Sequence, residues 1–197
     1  TFEAGTGATE YDKSGNSNTG TWGGTGTHYA GGKVGSYAGQ FNGTDDYIRV
    51  ESASSLGATN VTVSAWINPT ACNSASTIED RDGSYTFQLH SDCKIRSYLW
   101  GASPAVYRSS TNTVSTSIWT HVAYVYDQGA GTQKFYLNGV LDNSYSGISG
   151  LSAGGHLGLG AIYTGTTNRL TGLLDDIRIY NRALSSAEIL AIYNATK

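Results

Sequence analysis

The residues best suited to chemistry lie between positions 76 and 108. Two runs alternate with period two there. With Phe87 and Leu89 facing inward, Thr86, Gln88 and His90 face outward. With Ile95, Ser97 and Leu99 inward, Arg96, Tyr98 and Trp100 face outward, and Tyr107 and Arg108 follow on the next segment. Sugar rings present an apolar C–H patch and hydroxyls in fixed directions, so they are held by flat aromatic faces flanked by planar polar groups. The candidate ligand-binding set is therefore Gln88, His90, Arg96, Tyr98, Trp100 and Tyr107. Three states of this surface stay open: contact with a ligand, plain exposed surface, or a second small core under the Gly-rich loop 20–35 that carries Trp22.

Catalysis has less to work with. A retaining glycosidase sets two carboxyl groups about 5–5.5 Å apart, which on a strand calls for alternating acids, and no Glu-x-Asp-x-Glu run occurs. The nearest acidic cluster, Glu79-Asp80-Arg81-Asp82, straddles an Asp-Gly turn and reads as a solvated hairpin tip, with Glu79 and Arg81 able to share a face. No Gly-x-Ser-x-Gly elbow is present. The four His residues show no metal-protease spacing, and His121 sits inside an alternating strand as a structural residue. No catalytic residues are assigned, and the expectation is a protein that is not an enzyme.

One carboxylate calls for a partner. If Ile177 and Ile179 face the core, strand parity points Asp175 inward with them, and an ionised carboxylate cannot stay unpaired there. Glu3 lies near Phe2 on a short first strand, and a sandwich that pairs its first and last strands would bring the two acids together. A hard cation suits such an oxygen-only set, with the loop 12–18 completing the shell. The expected calcium ligands are Glu3, Asp12, Asn16 and Asp175. The alternative is that Asp175 caps backbone amides while Glu3 is solvated. Asp45-Asp46 reads as a turn before the Tyr47 strand.

These groups must be positioned by strands, because the apolar period is two almost throughout: Val61 to Ile67, Tyr85 to Leu89, His121 to Tyr126 and Ile177 to Tyr180. Gly, Asn, Asp and Ser clusters separate the runs, and Arg81-Asp82-Gly83 and Leu137-Asn138-Gly139-Val140 read as hairpin turns. Such spacing predicts a sandwich or jelly roll. One helix is expected at the C-terminus, where Ser185-Ser186-Ala187-Glu188 forms a capping box with Leu184 and Ile189 at staple positions, ending near Asn194. Cys72 and Cys93 flank the 76–90 hairpin at one end, with 20 residues between them, and are expected to bond. Such a loop closure stabilises by roughly 3 kcal/mol and implies an oxidising compartment.

Composition excludes several classes. Hydrophobic residues make up 39% of the 197 residues, enough for a core, and the net charge of −3 is too small for a disordered chain. Twelve Lys and Arg against 15 Asp and Glu leave no basic excess for nucleic acid. No apolar run approaches the length needed to insert into a membrane. With 26 Gly and no Met, the chain suits turns better than long helices, and Thr1 is not a translation start, so a processed protein or an excised piece is expected.

Several blocks carry a family likeness. Gly39-Gln40-Phe41-Asn42-Gly43-Thr44-Asp45-Asp46-Tyr47-Ile48, Val61 to Pro69, Trp119 to Asp127, Phe135 to Gly139 and Gly172 to Ser185 resemble the laminin-G-like, concanavalin A-like jelly-roll domains of bacterial extracellular proteins. The blocks follow the family's order across nearly the whole chain. The resemblance implies a single all-β domain over 1–197: a two-sheet antiparallel jelly-roll sandwich with a short C-terminal helix. It also implies a structural calcium between an N-terminal acid and the Asp before the final Ile-Arg-Ile-Tyr run, here Glu3 and Asp175, and places Trp66 and Trp119 in the core.

The fold hosts lectins, adhesion modules and some glycoside hydrolases and lyases. The expected function is non-catalytic extracellular recognition, by binding of a glycan or cell-surface polysaccharide, or by adhesion. The alternative is a structural or protein-interaction module of a surface filament or large adhesin, with a glycoside hydrolase or lyase behind it. Ligand identity and oligomeric state are not legible in the sequence.

Overall fold

A computed structural model describes residues 2–51, 54–56 and 59–197. In chain order its strands are β1 (Thr9–Glu10), β2 (Gly20–Gly23), β3 (Tyr29–Gly31), β4 (Tyr37–Asn42), β5 (Tyr47–Val50), β6 (Val61–Pro69), β7 (Ser76–Arg81) and β8 (Tyr85–Leu89). There follow β9 (Ile95–Leu99), β10 (Arg108–Ser109), β11 (Thr120–Asp127), β12 (Thr132–Leu137), β13 (Val140–Tyr145), β14 (Leu157–Leu159) and β15 (Thr171–Tyr180), then helix α1 (Ser186–Thr196). An eight-stranded sheet runs β1-β2-β5-β14-β7-β8-β9-β10 and a seven-stranded sheet runs β13-β12-β11-β6-β15-β4-β3, with antiparallel pairing between neighbours. This is the two-sheet antiparallel sandwich that the alternation predicts.

The core lies between the sheets. Val61, Val63, Ala65 and Ile67 of β6 face Phe87, Leu89, Ile95 and Leu99 of β8 and β9, in one cluster with Phe41, Tyr124 and Phe135. Each buried large apolar side chain contributes about 1.5–3 kcal/mol relative to exposure. Turn chemistry sets the register. Asn138 (φ 49°) and Gly139 (φ 77°) form the two-residue turn between β12 and β13, where both residues need a positive φ. Cys72 and Cys93 are bonded, with their Cα atoms 5.3 Å apart, and tie the start of β7 to the end of β8.

Helix α1 closes the outer face of the seven-stranded sheet. Ser185 Oγ accepts the N–H of Glu188, whose carboxylate accepts the N–H of Ser185, completing the expected capping box. Leu184 and Ile189 pack on Ala123, Val125 and Tyr136 in a second, smaller cluster. Trp66 is buried there, donating from Nε1 to Thr196 Oγ1 at 2.9 Å, so its core lies under the helix and not between the sheets. His121 is also buried, hydrogen-bonded to Ser64 Oγ, and burial lowers its pKa to about 4, which keeps it a neutral structural residue. Trp119 is only half-buried, because it precedes β11 instead of lying within it.

Three sequence expectations fail. The residues Glu79 to Arg81 are not a solvated tip: β7 continues to Arg81, the turn comes at Asp82-Gly83, and Glu79, Asp80 and Arg81 are all buried. Glu79 and Arg81 sit beside Tyr85, and burial pushes the Glu79 carboxyl well above the usual range. The parity of β15 also changes partway along. A bulge between Asp175 and Arg178 sets two residues opposite one, with Asp176 at φ 43°. Asp175 pairs with Trp66 and therefore lies on the outer face, while Ile179 beyond the bulge pairs with inward-facing Val63. Nor does a first strand bring Glu3 to β15: Phe2 and Glu3 lie outside any strand, Glu3 in a turn, and β1 and β15 belong to different sheets.

Candidate functional site

The outer face of the eight-stranded sheet carries two rows of side chains. Directly opposed residues of antiparallel strands share a face. One row therefore runs Arg49, Gly158, Asp80, Thr86 and Tyr98 across β5, β14, β7, β8 and β9. The next runs Thr77, Gln88, Arg96 and Ser109 across β7 to β10. Phe87, Leu89, Ile95 and Leu99 occupy the core, so both rows face away from it.

Gly158 decides what lies on the first row. A Cβ there would come within 2.5 Å of the Ala161 carbonyl and 2.6 Å of the Tyr163 nitrogen, so the segment after β14 rests directly on the sheet. That segment is braced by its own bonds: Gly165 N–H donates to the Ile162 carbonyl at 2.7 Å, and the Arg169 guanidinium donates to the Gly165 carbonyl at 2.7 and 3.1 Å. Tyr163 is fixed by stacking on His156, with ring centroids 5.2 Å apart. Its backbone nitrogen is set down over Gly158, next to Asp80 on the same row.

Aromatic rings rise on the opposite side. Tyr98 meets Trp100 edge-on at 5.1 Å and Tyr107 at 5.0 Å between centroids, and the Arg96 guanidinium lies 5.7 Å from the Tyr107 ring. Trp100 is 37% exposed and Tyr107 53%. The backbone of Trp100 is pinned from both sides, donating to the Ser84 carbonyl and accepting from Ser152, each at 2.7 Å. Between the two sides lies a groove of about 300 Å³. Asp80, Thr86 and Gln88 form its floor, Trp100 and Tyr107 one wall, and Ile162, Tyr163, Thr167 and Asn168 the other, with Asp82 at one end.

The floor is polar and nearly dry. Asp80, Thr86 and Gln88 are each at least 95% buried, and Thr86 Oγ1 has no hydrogen-bond partner. Burial raises the Asp80 pKa to about 6; the Tyr163 N–H opposes that rise and the charge of Asp82 adds to it. At neutral pH Asp80 is therefore mostly an acceptor aimed into a groove walled by rings.

Of the expected ligand-binding residues, Gln88, Trp100 and Tyr107 line the groove, while Tyr98 and Arg96 support its aromatic wall. His90 lies outside the lining, with Nδ1 3.6 Å from Asp92. Trp22 does not cover Trp100: it is buried in the core, stacked on His28 at 4.4 Å and bonded to Glu10. The sequence reading missed Asp80, Thr86 and Tyr163. Asp80 becomes legible once the turn is set at Asp82-Gly83, because it then stands opposite Thr86.

The expected calcium ligands separate into two groups. Asp175 Oδ2 accepts the N–H groups of Lys33 and Val34 at 2.8 Å, and its Oδ1 that of Asp176. Glu3 accepts from Ser36 and Tyr37, so the two acids grip one loop from opposite ends of the chain. Asp12 belongs elsewhere, in a turn where it accepts from Ser14 and Asn18, and Asn16 bonds Ser14 in the same turn. Among the described residues no three acidic, His or Cys side chains converge on one point, so Asp12 does not join Glu3 and Asp175. Asp46, read as a turn residue, is fully buried and ties loop 24–28 to β4 through Gly26 and Asn42.

Similar proteins agree with this architecture. A search of curated proteins found no match. The binding domain of Paraclostridial Mosquitocidal Protein 1 superposes with a TM-score of 0.76 at 20% identity, over 94% of this chain and 49% of that one, so the chain spans about half of that domain. Domain 4 of AbnA, a GH43 extracellular arabinanase from Geobacillus stearothermophilus solved in complex with arabinotriose, superposes at 0.73 with 26% identity, over 92% of this chain and 91% of that one. The receptor binding domain of botulinum neurotoxin mosaic serotype C/D gives 0.73 at 19% identity, over 94% and 48% of the two chains. The laminin-G family model described as the concanavalin A-like lectin/glucanases superfamily matches residues 42–190, and the chain belongs to that family.

Proposed function

We propose that this protein is a non-catalytic carbohydrate-binding module. The observation that carries the reading is the groove itself: a dry polar floor of Asp80, Thr86 and Gln88 between Trp100 and Tyr107 on one side and Tyr163 on the other. Rings cover the apolar C–H face of a sugar while the floor meets its hydroxyls. Similarity to an arabinanase domain that binds arabinotriose supports the same class of ligand. We place the protein outside the cell, on the strength of its disulfide. Among the described residues no helix is long and apolar enough to cross a membrane.

A glycan array that includes arabinotriose tests the reading, run with wild type and Trp100→Ala. Wild type is expected to bind, and the variant to lose binding while keeping its melting temperature. Sugar release from a polysaccharide panel by the wild type would instead indicate a hydrolase or lyase.

We further propose a structural calcium at Glu3 and Asp175. Asp175 has no exposed surface, and burial raises its pKa although three N–H groups donate to it, so a cation would supply compensation the amides leave short. The ion would fasten loop 32–37 to both chain ends. The melting temperature should fall in EGTA and recover with excess calcium; an unchanged melt would remove the ion from the account.

A further inference from the structure

The charges around the groove constrain what enters it. Its lining includes two carboxylates, Asp80 and Asp82, and no Lys, Arg or His. The basic side chains nearby lie outside the lining, each beside another partner. Arg49 pairs with Glu51 at 3.0 Å, and His156 pairs with the same carboxylate at 2.8 Å. Arg96 leans on the Tyr107 ring with Asp92 3.6 Å away, and Arg169 donates to the Gly165 carbonyl. Arg81, although on β7 beside Asp80, points to the other face and donates to the Gly154 carbonyl.

A ligand in this groove therefore meets uncompensated negative charge on a floor that water scarcely reaches. Like charges brought together there repel more strongly than in bulk water. A carboxylate or sulfate on the ligand would find no guanidinium fork in the lining to receive it. Hydroxyl groups suit the same floor: they donate to Asp80, and Thr86 Oγ1 is without a partner.

We infer that the groove selects neutral sugars and rejects uronic, sialic and sulfated ones, with Asp80 and Asp82 as the discriminating residues. This rests on the carbohydrate-binding reading above and adds to it the charge class of the ligand. Specificity of this kind comes from repulsion built against the wrong partner as much as from contacts to the right one.

The test uses the whole chain and matched probes. A neutral oligosaccharide bound on the array is compared with the same compound after its primary alcohol has been oxidised to a carboxylate. The neutral form should bind at least tenfold more tightly to wild type at pH 7.5, and Asp82→Asn, which spares the floor, should narrow that ratio at least threefold. Equal or tighter binding of the carboxylated form overturns the charge selection while leaving sugar binding intact. A ratio unchanged in Asp82→Asn removes Asp82 from it. Failure of every neutral and acidic probe to bind overturns both the selection and the reading beneath it.

Discussion

The two sheets present the same kinds of residues on their outer faces and put them to opposite uses. On the seven-stranded sheet, Trp66 stands with His121 under Tyr193 of helix α1 and is 3% exposed. On the eight-stranded sheet, Trp100 stands with Tyr98 and Tyr107, and among the described residues no helix covers it. A tryptophan on or just beyond a strand is thus neither core nor ligand contact by type. The element that covers it decides, and the chain supplies one C-terminal helix for two outer faces.

That contrast is open to breaking from either side. Trp66→Ala should have the largest effect, about 3–5 kcal/mol of stability by analogy with buried aromatic truncations, read by chemical denaturation. Trp100→Ala should leave stability within about 0.5 kcal/mol and weaken glycan affinity by about 2 kcal/mol, as a central aromatic contact does. If Trp100→Ala unfolds the protein, the groove wall is a second core.

Acidity separates the faces next. The folded-state pKa of Asp80, about 6, lies above the ordinary carboxylate value, so the folded protein binds that proton more readily than the unfolded chain. Its contribution to stability therefore falls as pH rises through 6, whereas a sugar donating hydroxyls to the ionised carboxylate gains affinity over the same range. Glycan binding measured by calorimetry should strengthen from pH 5 to pH 7.5, and Asp80→Asn should flatten the profile. His121, neutral down to about pH 4, should give the helix-covered face no such dependence in this window. The smallest effect belongs to Ser185→Ala, which removes the helix cap and should cost about 1 kcal/mol with unchanged sugar affinity.

The sequence exposed the sandwich well, because period-two alternation and turn dipeptides report strands whose faces are unlike. The helix was as legible, since a capping box is a contiguous signal. Half of the groove was visible for the same reason: Gln88, Trp100 and Tyr107 lie on or beside adjacent hairpin strands. The other half of the groove and the facing of Asp175 were not, for three physical reasons. A bulge adds one residue and reverses parity beyond it, which turned Asp175 to the wrong face. Strand β7 runs on to Arg81 through residues that read as a solvated tip, which hid Asp80. Tyr163 arrives from a loop far along the chain, admitted by the missing side chain of Gly158, and no local pattern announces such a contact.

The most direct measurement follows the indole N–H resonances in a ¹⁵N–¹H spectrum as a neutral glycan found on the array is titrated. The Trp100 signal should move saturably with added sugar. Those of Trp66, donating to Thr196, and Trp22, donating to Glu10, should stay in place. Saturable movement of the Trp66 or Trp22 signal with Trp100 unmoved would show that the sugar binds elsewhere on the fold and contradict the groove.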